Sequence, residues 1–90
     1  MQIRFLNLER DEIFLLGYSL TLSPTEEKLL RAIAEGGKRG SSDLALLLPA
    51  ETSVGNVAVH ISSINKKAAK ISGRKLIIHE NGRYEINPFM

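Results

Sequence analysis

The stretch Ser53–Gly73, SVGNVAVHISSINKKAAKISG, decides the predicted fold of this chain. Its apolar residues recur at steps of three and four, which places them on one stripe of an α-helix. These residues are Val54, Val57, Ile61, Ile64, Ala68 and Ile71. The opposite face is small, polar and basic, and no acidic residue lies between Glu51 and Glu80. The stretch therefore predicts a helix over about residues 53–72 that packs through one stripe and presents a cationic face outward.

The composition limits the class of protein. Ninety residues suffice for one domain with a single modest core. The absence of Cys excludes a disulfide framework and a thiol nucleophile, and two His far apart in sequence argue against a structural zinc site. No apolar run is long enough to span a membrane, and no signal-peptide pattern opens the chain. We therefore expect no metal, no cofactor, no membrane partner and, by default, a cytoplasmic location.

Charge is distributed unevenly along the chain. Residues 1–51 contain eight acidic and six basic side chains, whereas residues 52–90 contain two acidic and six basic ones. The overall net charge is only +2. This asymmetry indicates either a scaffold half joined to a basic binding half, or chance clustering on a solvated surface.

The first half of the chain predicts a short sheet and two helices. Alternating apolar and polar residues up to position 22 predict an antiparallel meander of three short strands. Ser23-Pro24-Thr25-Glu26 is a capping box with Pro at the first helical position, and Gly36-Gly37 end that helix. Residues 38–40 are predicted to form a basic loop. A second, shorter helix then starts at a Ser41 or Ser42 cap and ends at Pro49.

The second half predicts one long helix followed by a hairpin. The loop from Pro49 leads to the third helix, which Thr52 or Ser53 caps. Two β-prone runs, 76–80 and 84–86, flank Asn81-Gly82, a dipeptide typical of tight hairpin turns. The predicted fold is α+β: a winged helix-turn-helix with a short N-terminal antiparallel sheet, a three-helix core and a C-terminal β-hairpin wing. Residues 1–90 are predicted to form one domain, with the N-terminal strands in 1–22, the three helices in 23–73 and the wing in 74–90.

Four segments carry a resemblance to a known family. The run Leu20–Leu30, LTLSPTEEKLL, is similar to L-x-L-T-x-x-E-x-x-L-L at the start of that family's first helix, and Ser42-Asp43-Leu44 is similar to its S-R-x-x-L. The run Val57–Lys67, VAVHISSINKK, is similar to its V-D-V-H-I-x-x-L-R-K-K, and Gly82-Arg83-Tyr84 is similar to its G-x-G-Y. The chain thus resembles the winged-helix effector domain of OmpR/PhoB-type response regulators in two-component systems.

This resemblance implies a function in transcription regulation through binding to double-stranded DNA. Family membership implies that the third helix lies in the major groove and that the wing lies near the minor groove. The family commonly binds direct repeats as dimers, which implies a homodimer as a further partner.

The chain departs from the family at the positions that read bases. Gly55 stands where members usually have an Arg, and Ala58 stands where they have an acidic residue. The positions that are usually rich in Arg carry Ser62, Ser63 and Asn65. These departures favour weak or modest sequence specificity for an isolated monomer.

The candidate DNA-binding residues come from the third helix, the segment after it and the hairpin. They are Asn56, Val59, His60, Ser63, Lys66, Lys67, Lys70, Arg74 and Arg83. Asn56 and Ser63 suit base edges or phosphates, Val59 suits a thymine methyl, and the cations suit phosphates. Each has a plainer alternative. The polar residues are ordinary surface residues, Val59 is simply exposed or part of a protein interface, His60 is half-buried and structural, and the lysines complement the helix dipole.

Two other functional classes remain to be weighed against DNA binding. An enzyme is not expected, because His60 and Ser63 lie one helical turn apart without a carboxylate in the same segment to orient the His. Capping explains Glu26 and Glu27 better than catalysis does. The alternative function is a degenerate winged helix used for protein contacts, either in dimerisation or in docking onto RNA polymerase or another regulator. The missing arginines and an apolar Val59 on the outer face motivate it.

Overall fold

The computed structural model describes residues 2–3, 5–36, 39–48 and 54–88. These residues form a small α+β fold with a four-stranded antiparallel sheet, three helices and a C-terminal hairpin. In chain order the elements are β1 (Gln2–Ile3), β2 (Leu6–Leu8), β3 (Ile13–Leu15), β4 (Tyr18–Ser19), α1 (Pro24–Gly36), β5 (Arg39–Gly40), α2 (Ser41–Ala45), α3 (Val54–Ser72), β6 (Ile77–Glu80) and β7 (Arg83–Ile86).

The N-terminal sheet has the strand order β1-β2-β3-β4, and all its pairs are antiparallel. Alternate residues of β2 and β3 are buried, as a sheet with one face on the core requires. The predicted meander is confirmed, but it contains four strands instead of three. The run that begins at Ile3 folds back on itself, so that Ile3 pairs with Leu6. No Gly or Pro marks that turn, so the period-two pattern did not reveal it.

A two-residue turn joins β3 to β4. Both of its residues, Leu16 and Gly17, have positive φ, at 53° and 83°. This is the geometry of a type I′ hairpin turn, whose twist matches that of the flanking strands. Positive φ suits Gly17 but is unfavourable for Leu16, whose Cβ crowds the backbone there. The side chain of Leu16 is 49% exposed, so burial offsets little of that cost.

Replacing Leu16 with Asn is expected to raise the free energy of unfolding by about 0.5–1 kcal/mol, because Asn tolerates positive φ far better than Leu. The change creates the Asn-Gly dipeptide that the chain already uses at its other tight turn. Urea unfolding measures the gain. Leu46→Asn is the matched control, because Leu46 is also exposed but has φ −66°. Equal stability changes in the two variants would show that the turn geometry is not the cause.

The start of α1 confirms the predicted capping box. The backbone N–H of Glu26 donates to Ser23 Oγ at 3.2 Å, and the N–H of Ser23 donates to Glu26 Oε1 at 2.8 Å. The helix begins at Pro24 and ends at Gly36. Its buried face comprises Glu26, Leu29, Leu30 and Ile33. The predicted second stop residue, Gly37, lies outside the described residues.

Three predictions around α2 were wrong. Gly40 is the N-cap, in extended conformation and without a side-chain hydrogen bond, so the predicted Ser41 or Ser42 cap does not form. Arg39 and Gly40 form β5, which pairs with β7, instead of a loop. An extended backbone at Gly40 satisfies this strand pairing, and the helix therefore starts immediately after it. The helix ends at Ala45, so the predicted end at Pro49 was wrong: residues 46–48 already form a turn.

The third helix matches its prediction closely. The stripe residues Val57, Ile61, Ile64 and Ala68 are buried, and Ile71 is half-buried. The helix ends at Ser72, and Gly73 adopts positive φ at 73° while its N–H donates to the carbonyl of Ala69. The predicted caps Thr52 and Ser53, and the side chain of Val54, lie outside what the structure describes.

The C-terminal hairpin is also confirmed. Asn81 and Gly82 form its turn, with φ of 53° and 75°. With β5 added, these strands make a second antiparallel sheet with the order β5-β7-β6. Both sheets and all three helices contribute to one core of buried residues: Leu6, Leu8, Ile13, Leu15, Leu20, Leu29, Leu30, Ile33, Leu44, Leu48, Val57, Ile61, Ile64, Ala68, Leu76, Ile77 and Tyr84. Within the described part of the chain, no helix is both long and apolar enough to cross a membrane.

Candidate functional site

The side of α3 opposite the buried stripe carries four of the nine candidate residues. We call it the outer face and define it by Asn56, Val59, Ser62, Lys66 and Lys70, all of which are exposed. Lys66 and Lys70 occupy the C-terminal half of the helix, whereas the N-terminal half of the face is uncharged. The whole helix contains no Asp, Glu or Arg. The outer face is therefore cationic at one end and neutral at the other.

One side of the outer face borders the C-terminal hairpin, and Asn65 holds the two together. Its Nδ2 donates to the carbonyl of Ile77 at 2.9 Å, and its Oδ1 accepts from the N–H of Ile77 at 2.8 Å. Ile77 is the first residue of β6 and is buried. Asn65 therefore acts as a clamp between α3 and the hairpin. The sequence marked it only as a departure from the family's arginines, and a single Asn carries no local signal for this role.

The base of the hairpin is closed by a second asparagine. The N–H of Asn87 donates to the carbonyl of Leu76, and its Nδ2 donates to the carbonyl of Lys75 at 2.9 Å. His79 and Tyr84 stack across the two strands, with ring centroids 4.3 Å apart. These contacts fix the hairpin as a rigid ridge beside α3.

A groove of about 420 Å³ separates α3 from this ridge. Its floor is apolar and its walls contain one lysine, one histidine and several polar side chains. The lining residues are Ala58, Ile61, Ser62, Asn65, Lys75, Ile77, Ile78, His79 and Tyr84. Lys75 and His79 are exposed, so the groove opens to solvent on the same side as part of the outer face.

The other side of α3 faces the start of α1, where Glu26 is only 3% exposed. Lys67 Nζ donates to Glu26 Oε1 at 2.5 Å. Burial by itself raises the pKa of Glu26, but hydrogen bonds from Lys67, from the Ser63 hydroxyl and from the backbone and side chain of Ser23 outweigh it. Together they hold the pKa of Glu26 at about 2, so this buried carboxylate is ionised at neutral pH.

This cluster changes the role of two candidate residues. Lys67 forms an ion pair with Glu26, and Ser63 is half-buried with its hydroxyl bonded to the same carboxylate. Neither side chain is presented outward as Lys66 is. His60 is half-buried too, in line with the structural alternative for it. The capping box signalled Glu26 in the sequence, but nothing local linked it to Lys67, which lies 41 positions later.

The remaining candidates lie beyond α3. Arg74 is exposed directly after the helix, and Ser72 Oγ accepts from its backbone N–H at 3.2 Å. Arg83 is exposed at the start of β7, next to the hairpin turn. The structure thus places exposed cations along the C-terminal half of α3, at its end and on the hairpin.

Comparison of the chain with models of known protein families, with curated proteins and with solved structures gave no match. Among the described residues, no group of three or more His, Asp or Glu side chains is arranged to hold a metal ion. The geometry of α3 and the hairpin is therefore the basis for assigning a function.

Proposed function

We propose that this chain is a cytoplasmic DNA-binding module for transcription regulation, with a winged helix-turn-helix fold of the OmpR/PhoB type. The observation that carries the proposal is the outer face of α3. This face is exposed, contains no acidic side chain and carries Lys66 and Lys70. In the proposed complex α3 lies in the major groove of double-stranded DNA, which is wide enough to admit an α-helix.

The surroundings of α3 support this arrangement. The pair α2 and α3 corresponds to the helix-turn-helix, in which the second helix enters the groove. The C-terminal hairpin corresponds to the wing, and the Asn65 clamp holds it at a fixed position beside α3. Arg83, next to the hairpin turn, is then directed toward the neighbouring minor groove.

In this complex five exposed cations are proposed to contact phosphates: Lys66, Lys70, Arg74, Lys75 and Arg83. Lys67 is not counted, because it is only half-exposed and its Nζ binds the buried carboxylate of Glu26. Each phosphate contact releases counterions from the DNA, so binding weakens as the salt concentration rises. With five contacts, a plot of log binding constant against log salt concentration is expected to have a slope of about −4 to −5. Fluorescence anisotropy with a labelled duplex of about 20 base pairs measures this slope.

Charge reversal tests whether the outer face makes the contacts. The double variant Lys66→Glu with Lys70→Glu is expected to bind at least about tenfold more weakly and to reduce the slope by about 2. The control is Arg10→Glu with Lys28→Glu, which makes the same charge change at exposed positions in the β2–β3 loop and on α1. The proposal is abandoned if no duplex binds more tightly than about 100 μM at low salt, since non-specific binders reach that affinity.

A second candidate function is a protein-contact module, and one observation favours it. Leu16 and Tyr18, at the β3–β4 turn, are 49% and 67% exposed, so two large apolar side chains project from one hairpin. Such a patch suits a homodimer, RNA polymerase or another regulator. If this is the main function, changing Lys66 and Lys70 to Glu leaves partner binding intact. Loss of all function in that double variant would count against it.

A further inference from the structure

Val59 is an exception on the outer face of α3. It is 65% exposed, whereas the stripe residues Val57, Ile61, Ile64 and Ala68 are buried. The other exposed large apolar side chains among the described residues are Leu16, Tyr18 and Leu46, and they lie outside α3. A largely exposed β-branched side chain on a helix gains little from packing and nothing from helix propensity. Its exposure leaves this side chain accessible to a ligand.

The neighbours of Val59 indicate the chemistry of that ligand. A shallow depression of about 320 Å³ beside it is lined by Val59, Ser62, Ser63 and Lys66. The side chains around Val59 are short, so a flat partner can approach the helix closely. Lys66 and Lys70, one and two turns further on from Ser62, make the same face attractive to a polyanion. A ligand that displays an apolar group on a polyanionic surface would match both Val59 and the two lysines.

The major groove of DNA displays one such group, the C5-methyl of thymine. The commonest contact to guanine uses Arg or Lys on its O6 and N7 atoms. Helix α3 contains no Arg, and its lysines lie in the C-terminal half, whereas the N-terminal residues of a recognition helix usually contact the bases. Val59 is thus placed where bases are read, and the cations are placed where phosphates are bound.

We propose that Val59 is a specificity-determining residue that contacts a thymine methyl, so that this chain prefers thymine-containing sites. This inference rests on the proposed DNA-binding function. It goes further by naming the atom that is recognised and the side chain that recognises it.

Replacement of thymine by uracil removes that methyl and leaves pairing and phosphates in place. The wild-type chain is expected to bind an alternating dA·dT duplex about fourfold more tightly than the same duplex with uracil, the effect of burying one methyl group. In Val59→Ala the ratio is expected to fall to about one. Fluorescence anisotropy at low salt measures all four affinities, and circular dichroism checks that the variant is folded.

Two controls separate methyl recognition from other effects. A dG·dC duplex with 5-methylcytosine carries a methyl at the same ring position, and the wild-type chain is expected to bind it more tightly than the unmethylated duplex. Leu16→Ala removes an exposed apolar side chain outside α3 and is expected to keep the wild-type thymine-to-uracil ratio.

The outcomes distinguish the two proposals. Equal wild-type affinity for the thymine and uracil duplexes, with salt-dependent binding to both, overturns the role of Val59 and leaves the DNA-binding function standing. If Val59→Ala keeps the wild-type ratio of affinities for the thymine and uracil duplexes, the role of Val59 is also overturned. Absence of binding to every duplex overturns both proposals, and a change in self-association in Val59→Ala would then identify a protein partner.

Discussion

Replacing Glu26 with Gln is expected to lower the free energy of unfolding at pH 7 by about 3 kcal/mol. The carboxylate has a pKa of about 2 in the folded chain against 4.5 for a free glutamate. This difference measures how strongly the folded state favours the charged form. Gln preserves the shape and an acceptor for the Ser23 N–H, but it cannot form the ion pair with Lys67.

The same pKa predicts how stability depends on pH. Because the folded-state pKa lies below that of the unfolded chain, the unfolded chain binds the proton more readily. The contribution of Glu26 is therefore fully present above about pH 5.5 and is lost as the pH falls from about 5 through 2. Urea unfolding measures the free energy of unfolding across this pH range. We expect it to fall more steeply with decreasing pH in the wild type than in Glu26→Gln.

Glu27→Gln is the matched control, one position along the same helix. Glu27 forms a partly exposed ion pair with Arg31 at 2.9 Å, one turn apart on α1. Such pairs contribute about 0.3–0.5 kcal/mol, so this variant is expected to stay within about 0.5 kcal/mol of the wild type. Comparable losses in the two variants would contradict the assigned role of the buried carboxylate.

Replacing Asn65 with Ala is expected to destabilise the fold by about 2–3 kcal/mol, because the buried N–H and carbonyl of Ile77 each lose a partner. The hairpin then loses its clamp to α3, so the amides of β6 are expected to exchange faster with solvent than those of α1. Urea unfolding measures the stability, and hydrogen exchange measures the local opening.

Two further variants test whether the amide geometry of Asn65 matters. Asn65→Asp keeps an acceptor for the Ile77 N–H but loses the donor to the Ile77 carbonyl. We therefore expect this variant also to have a lower free energy of unfolding than the wild type. Asn7→Ala is the control, because the Asn7 side chain bonds only to the exposed side chain of Glu9 among the contacts described. A cost for Asn65→Ala no greater than that for Asn7→Ala would show that the clamp is not important for stability.

The elements that were predicted correctly are those specified by neighbouring residues. Ser23 and Glu26 form hydrogen bonds to each other within one helical turn. Asn81 and Gly82 are residue types that tolerate the positive φ angles of a tight turn. The stripe of α3 repeats with the helical period, so its burial follows from the sequence. The cationic face opposite that stripe was predictable for the same reason.

The tertiary structure decided which distant groups meet. Strand β5 exists because Arg39 and Gly40 pair with β7, and that pairing also makes Gly40 the cap of α2. Lys67 pairs with Glu26 across 41 positions of sequence, which withdraws it from the outer face. Asn65 pairs with Ile77 across a helix end. Gly40, Lys67 and Asn65 are all residue types that are common on protein surfaces, so the residue type alone did not reveal the distant partner.

The sequence by itself therefore determined α1, α3, the Asn81-Gly82 turn and the basic character of the second half of the chain, because those depend on contacts within a few residues. Only the tertiary structure decided which polar side chains hold the fold together and which are presented outward. A hydrogen bond or ion pair between distant segments depends on how the core brings them together. For α3 this separates Lys66 and Lys70, which remain exposed, from Lys67, Ser63 and Asn65, which bind the protein itself.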